Sequence, residues 1–316
     1  MIERATAFAP ATVSNVACGF DVFGFAIEGL GDEVEAERQD EPGVAIDQIL
    51  HDHGRLPRDP EKNTASVAAR AVLARCGAQG GVRLTIKKGI PLASGLGGSA
   101  ASAVAAAVAT AHLLGERLGP EELLTCALAG ERIASRSTHA DNVGPCLHGG
   151  FVLVRQPLPP DLVHLPVPDG LTCALLHPWI EIETHAARAC LGDSVPLGSA
   201  VRQWANTAAL VAALFRGDFE LLRRSLEDHV AEPARRLLVP GFDAVRRAAL
   251  DAGALGCSLS GSGPTLFALA ASPQIAQAVS LAMAAAYREE GEGPADRWVS
   301  PIGALGAQLR ETPVCA

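Results

Sequence analysis

The stretch PLASGLGGSAAS, residues 91–102, runs directly into AVAAAVATAHLL. Glycines and serines packed against an alanine-rich helical pattern suit very few local structures. Val82–Lys87 alternates like a strand, 91–98 carries the turn residues, and Gly98–Leu114 reads as a helix. In a strand–glycine loop–helix unit the first helical amides lack internal partners and point outward. The helix dipole adds positive potential there, and glycine lets the backbone approach an anion closely. The segment therefore reads two ways, as a tight-packing helix or as a phosphate cradle, and the two are compatible. It is not a Walker A loop, because no Lys follows the glycines, and Ala100 stands where G-x-G-x-x-G needs its third glycine. Lys87 and Lys88 precede the loop and either supply positive charge to it or end a strand in solvent.

The surrounding chain is long enough for two domains, at 316 residues and 48% hydrophobic. Its net charge of −9 argues against nucleic acid, which needs clustered Lys and Arg. The eight cysteines are scattered without a CxxC pair, so reduced thiols are expected, not a zinc site or a disulfide framework. The N-terminus has no basic stretch leading into an apolar block, and the longest apolar run, Ala100–Ala111, is too short to span a bilayer. A cytoplasmic, non-membrane protein is expected.

Strands are predicted at Arg4–Phe8, Phe20–Ile27, Glu33–Glu37, Phe151–Arg155 and Leu171–His177, with a closing strand near Trp298–Ile302. Helices are predicted at Asn63–Arg75, capped by Asn63 or Thr64, and at Pro120–Ser135, Ser199–Phe215, Asp218–His229, Phe242–Asp251 and Pro273–Arg288. The Pro-rich 155–170 marks a boundary or long connection. This mixture is α+β.

Three further stretches hold polar groups beside apolar neighbours. Residues 9–27 carry Asn15 and Asp21, which by themselves read as turn residues. Residues 256–269 place Ser260-Gly-Ser-Gly263 between two strands, as a hairpin turn or a second donor-rich turn near a ligand. Residues 130–150 put Glu131 near a helix end and Asp141 and Asn142 in a loop, carboxylates of a kind that suits magnesium. His139 has no second His at ligand spacing and reads as a hydrogen-bonding residue.

Taken together and in order, these stretches resemble the GHMP kinases. Residues 91–101 match the central signature P-x-x-x-G-L-G-S/G-S-A-A, Ser260–Pro264 the glycine-rich C-terminal turn, and Ala9–Ala11 the N-terminal strand end. Within that family, Asn15 to Gly24, Ala140–Pro145 with Gly149-Gly150, Thr184 to Arg188 and Glu232 to Arg235 resemble the homoserine-kinase branch. Thr12 stands where the mevalonate and diphosphocytidyl-methylerythritol kinases carry Lys, and the order Val16-Ala17-Cys18-Gly19 departs from the branch near the substrate.

The resemblance implies a two-domain GHMP kinase fold: a ribosomal S5 domain 2-like N-terminal domain over 1–160 and a ferredoxin-like C-terminal domain over 161–316. It implies ATP and Mg2+, L-homoserine as acceptor, no nucleic-acid or membrane partner, and a homodimer. For ATP it implies Asn63 and Pro91, Leu92, Ala93, Ser94, Gly95, Leu96, Gly97, Gly98, Ser99, Ala100, Ala101 and Ser102, with Ser99 and Glu131 for the metal. For the substrate it implies Asn15, Asp21, Asp141, Asn142, Arg188 and Arg235, and Asp141 and Thr184 for catalysis. Another GHMP small-molecule kinase, acting on shikimate or an isoprenoid precursor, and a non-catalytic ligand-binding relative stay open at this point.

Overall fold

The computed structural model describes residues 2–135 and 140–310. Its strands are β1 (Arg4–Ser14), β2 (Phe23–Gln39), β3 (Gly43–Leu50), β4 (Gly81–Lys87), β5 (Phe151–Gln156), β6 (Asp161–Leu165), β7 (Thr172–Pro178), β8 (Gly256–Leu259), β9 (Leu266–Ala270), β10 (Ala295–Pro301) and β11 (Gln308–Arg310). Its helices are α1 (Thr64–Cys76), α2 (Gly98–Leu114), α3 (Pro120–Ser135), α4 (Ala140–His148), α5 (Thr184–Ala189), α6 (Leu197–Arg216), α7 (Phe219–Ser225), α8 (Glu232–Arg235), α9 (Phe242–Asp251) and α10 (Pro273–Glu290).

The first sheet runs β11-β1-β2-β4-β3, with β5 on the far end of β2 and β6 beside it. All its pairs are antiparallel except β3 with β4, which α1 connects. The segments expected as separate strands at Phe20–Ile27 and Glu33–Glu37 form one strand of 17 residues. The Gly29–Gly31 region passes through without a turn, although β1 shifts register opposite it between Pro10 and Thr12. Helix α2 lies against β1 and β2 and packs on α1 and α3, which also pack on each other. Twelve of its seventeen residues are buried. Its mostly alanine-sized side chains let neighbours approach closely on several sides, so the packing reading of this segment holds for the helix body.

The second sheet runs β10-β7-β9-β8, entirely antiparallel. Numbered within that sheet the order is 4-1-3-2, with α9 and α10 on one face, the ferredoxin-like arrangement the resemblance implies. Strand β7 is buried at every position because both its faces are covered. Ala174 and Leu176 meet α9 and α10 in one cluster, while Cys173 and Leu175 join the large cluster centred on α2. The two sheets therefore share a continuous apolar core. Dividing the chain at residue 160 would cut the β5–β6 hairpin: β6 belongs to the first sheet, and β11 returns to it from the C-terminal end. The helix expected over Asp218–His229 ends at Ser225, and Asp228 instead caps α8. Among the described residues all seven cysteines are free thiols, and no helix is long and apolar enough to cross a membrane.

Candidate active site

Three segments distant in sequence meet through their backbones at the start of α2. Thr12 N donates to Leu96 O (3.1 Å), Gly261 N to Ser14 O (3.2 Å) and Thr265 N to Ser94 O (3.2 Å). The Ser260 hydroxyl donates to Gly95 O at 2.7 Å. The contact is close because residue 95 is glycine. Its φ is +77°, and a Cβ there would lie 2.4 Å from Ser260 O and 2.7 Å from Gly263 O. Gly97 adopts the left-handed conformation at the N-cap of α2 and makes no side-chain cap. The first amides of α2 are thus free of intrahelical bonds and carry the positive end of the helix dipole. They open onto a cavity of about 440 Å³ whose lining includes Gly97, Gly98 and Ser99. The helix body packs, and its start presents to the cavity the kind of unpaired amides that suit an anion.

Of the two lysines before the loop, Lys87 ends β4 in solvent beside Glu33 (3.2 Å). Lys88 turns inward, 5% exposed, and pairs with the fully buried Asp32. Lys88 Nζ also donates to Gly98 O (2.8 Å), and Ser102 Oγ donates to Asp32 at 2.7 Å. Asp32 further accepts from Gly89 N and Ile90 N at 3.0 and 3.1 Å. A buried charge with every neighbour hydrogen-bonded is costly to form but specifies geometry. Here it holds both ends of the 89–98 loop.

The opposite wall begins with an unusual turn. Asn15, Val16 and Ala17 have φ of 68°, 44° and 57°, and Asp21 of 59°. For non-glycine residues such conformations cost on the order of 1–3 kcal/mol each. Asn15 holds the turn together: its Nδ2 donates to Gly261 O (3.0 Å) and its Oδ1 accepts from Asp21 N (3.1 Å). Arg188 of α5 pairs with the Asp21 carboxylate. Arg235, 3% exposed, donates from Nε to Ala187 O (3.1 Å) and from Nη1 to Gly261 O (3.0 Å). Both guanidinium groups stack over the Phe20 ring, at 5.5 and 5.2 Å. Two cations and a carboxylate thus stand side by side.

Asp141 and Asn142 are not in a loop. They occupy the first turn of α4, a helix disguised by Gly144 and by Pro145 within it. Gly24 of β2 admits that turn, since a Cβ at Gly24 would meet Asp141 O at 1.8 Å. Asn142 accepts from Thr12 Oγ1 (2.8 Å) and donates to Ser14 Oγ (3.1 Å), linking α4 to β1. Asp141 is 1% exposed. Burial, then the nearby Asp21 charge, pushes its carboxyl up to about 8.

This cavity brings together Asn15, Asp21, Asn63, Ser99, Glu131, Asp141, Asn142, Thr184, Arg188 and Arg235, with Pro91–Gly95 and Ser102 along the loop. Leu96, Ala100 and Ala101 are fully buried and do not line it; they anchor the loop and helix in the core. Asn63 lines the cavity, yet its side chain is engaged as the cap of α1, accepting from Ala65 N (3.0 Å) and donating to Pro57 O (3.0 Å). His139 lies outside the described residues. An ion pair between Arg55 and Glu181 also lines the cavity, joining the loop before α1 to the loop before α5. The two residues are 126 positions apart, and no local pattern pairs them.

Comparison with known proteins agrees with this geometry. Residues 63–150 match the model of the GHMP kinases N-terminal domain, and 210–289 that of the GHMP kinases C-terminal domain. The chain is 46% identical to the homoserine kinase of Chlorobium phaeobacteroides (strain BS1), over 98% of this chain and 100% of that one. It is 46% identical to the homoserine kinase of Chlorobaculum tepidum, over 98% and 99% of the two chains. The crystal structure of homoserine kinase from Cytophaga hutchinsonii superposes with a TM-score of 0.94 at 48% identity, covering 98% of each chain. The crystal structure of L. major mevalonate kinase in complex with R-mevalonate shares the fold at a TM-score of 0.70 and 18% identity, over 94% and 96% of the two chains.

Proposed function

The chain belongs to the GHMP kinase family, and from that membership we propose that it moves the γ-phosphoryl group of ATP to the side-chain hydroxyl of L-homoserine. The observation that carries the substrate is the juxtaposition of Arg188, Arg235 and Asp21 in one wall of the cavity. Homoserine is a zwitterion, so it needs both signs within a few ångströms. Guanidinium groups suit its carboxylate because they can bind it bidentately. Asp21 suits its ammonium group. In the free protein Arg188 and Asp21 neutralise each other, and the zwitterion offers each a replacement partner. Full-length identity to homoserine kinases favours this acceptor over shikimate or an isoprenoid precursor, and the intact cradle argues against a non-catalytic binding protein.

The first-turn amides of α2 and the backbone of 93–98 are suited to the triphosphate. Phosphoryl transfer depends on positioning and charge stabilisation more than on covalent participation of the protein. Ser99 and Glu131 both line the cavity, a hydroxyl and a carboxylate of the hard oxygen type that Mg2+ takes. Among the described residues no group of three or more His, Cys, Asp or Glu could hold a metal by itself. That donor set fits an ion shared with phosphate oxygens, and such an ion would neutralise charge on the transferred group. Asp141 lines the same cavity, and a carboxyl pushed up to about 8 is suited to orienting the acceptor hydroxyl and taking its proton. Thr184 and Asn142 border the same space. The family reading carries with it a cytoplasmic enzyme and a homodimer.

The test is release of ADP from ATP and magnesium with L-homoserine, against a panel of shikimate, mevalonate and other amino alcohols. Homoserine-dependent turnover with O-phosphohomoserine as product is expected. Turnover with another member of the panel and none with homoserine would overturn the assignment.

A further inference from the structure

The strained turn that carries Asn15 and Asp21 needs something outside itself to hold it, and two side chains of α6, Gln203 and Thr207, reach its Cys18 carbonyl. Gln203 Nε2 donates to Cys18 O at 2.9 Å and to Asp228 Oδ1 at 3.1 Å. Its Oε1 accepts from His229 N at 2.7 Å. Both amide protons and the carbonyl oxygen are therefore engaged, which also fixes the orientation of the amide. Gln203 is 9% exposed and does not line the cavity. The Thr207 hydroxyl, one turn along α6, lies 2.8 Å from the same Cys18 carbonyl.

Asp228 carries the connection onward. Its Oδ1 accepts from Val230 N (2.8 Å) and Ala231 N (3.0 Å), and its Oδ2 from Glu232 N (2.9 Å). These bonds fix the start of α8, which ends in Arg235. On the other side, Cys18 sits between the left-handed run Asn15–Ala17 and Asp21. The Gly261 carbonyl closes the circuit, accepting from both Asn15 and Arg235.

We propose that Gln203 is a positioning residue for the amino-acid substrate, a crossbeam whose amide sets the spacing between the turn bearing Asn15 and Asp21 and the segment bearing Arg235. This rests on the reading that those three residues hold homoserine. A zwitterion bound between an anionic and a cationic wall is sensitive to their separation, whereas the phosphate cradle is held by its own backbone bonds and by Lys88–Asp32. Loss of the crossbeam therefore weakens the acceptor and spares the nucleotide.

The experiment compares the full-length protein with Gln203→Met, which keeps length and removes the amide, and with Thr207→Val, a milder change at the same carbonyl. KM for homoserine, KM for ATP, melting temperature and hydrogen exchange over residues 15–22 are measured for each. In Gln203→Met, KM for homoserine rises about ten-fold while KM for ATP stays within about two-fold, and exchange over 15–22 accelerates. Thr207→Val shifts the same quantities in the same direction by about two- to three-fold. A homoserine KM within about two-fold of the parent in Gln203→Met, or equal rises in both KM values, overturns the proposal. Where Gln203→Met does not fold, Thr207→Val decides, and unchanged KM and exchange in it count against the crossbeam. If the parent protein itself shows no homoserine-dependent turnover, the functional reading fails separately. Exchange over 15–22 then decides the crossbeam alone, and unaltered exchange in Gln203→Met rejects it.

Discussion

Gly24 faces Asp141 so closely that a Cβ on residue 24 would stand 1.8 Å from the Asp141 carbonyl oxygen. Residue 24 lies in β2 and residue 141 in the first turn of α4, so one missing methyl group sets how far that turn enters the cavity. Gly24→Ala pushes the turn outward and moves the Asp141 carboxyl with it. Displacement of a reacting group by about 1 Å costs about 100-fold in rate. A fall in kcat of that order, with KM for ATP little changed, is expected from steady-state kinetics.

The raised pKa of Asp141 has a consequence for stability as well as rate. Its folded value, about 8, exceeds the unfolded one of 3.8, chiefly through burial. The folded protein holds a proton over that interval that the unfolded chain releases, so this group's contribution is fully present below about pH 4. It is lost progressively as pH rises to about 8 and is flat above. Asp141→Asn removes that slope. Melting temperatures of the substrate-free parent and variant therefore diverge in pH dependence between those limits. If Asp141 acts as the proposed base, its carboxylate form is the active one, and kcat/KM of the parent climbs with pH toward about 8. In Asp141→Asn turnover is lowered strongly at every pH.

Arg235, proposed to bind the substrate carboxylate, also donates to the backbone of Ala187 and Gly261. Arg235→Ala raises KM for homoserine by about 100-fold, the worth of a charge-assisted bidentate contact. KM for ATP rises only a few-fold, because Gly261 belongs to the turn that abuts the phosphate loop. Equal effects on both substrates would remove Arg235 from carboxylate recognition.

The segments with strong local signals were legible in the sequence: the 91–98 turn with α2, the strand β7, and the helix α10. Helix α4 was not, because Gly144 and Pro145 are residues that usually end helices, and here tertiary packing against β2 and β5 overrides them. The continuity of β2 was hidden by Gly29 and Gly31, which read as a break. The residues of the cavity were recognisable as types, but their partners were not. Lys88 meets Asp32 across 56 positions and Asn15 meets Gly261 across 246, and only the packed sheets bring them together.

The Lys88–Asp32 pair separates a structural charge from a surface one. Asp32→Ala leaves a buried ammonium group without its counterion and three donors at Gly89, Ile90 and Ser102 unmatched. Breaking such a buried pair costs about 3–5 kcal/mol, so a large fall in unfolding free energy and loss of ATP binding are expected in denaturant titration and nucleotide-binding assays. Lys87→Ala, one residue earlier and solvated beside Glu33, leaves both measurements at the parent values.

The central claim is that the opening turn of α2 receives the triphosphate with the acceptor held against it by the Arg188–Arg235–Asp21 wall. A crystal structure with a non-hydrolysable ATP analogue and L-homoserine tests it most directly. The account predicts the phosphate oxygens on the amides of Gly97–Ser99 and the homoserine hydroxyl in line with the γ-phosphorus at about 3–3.5 Å. A triphosphate bound elsewhere, with that turn open to solvent, would contradict it.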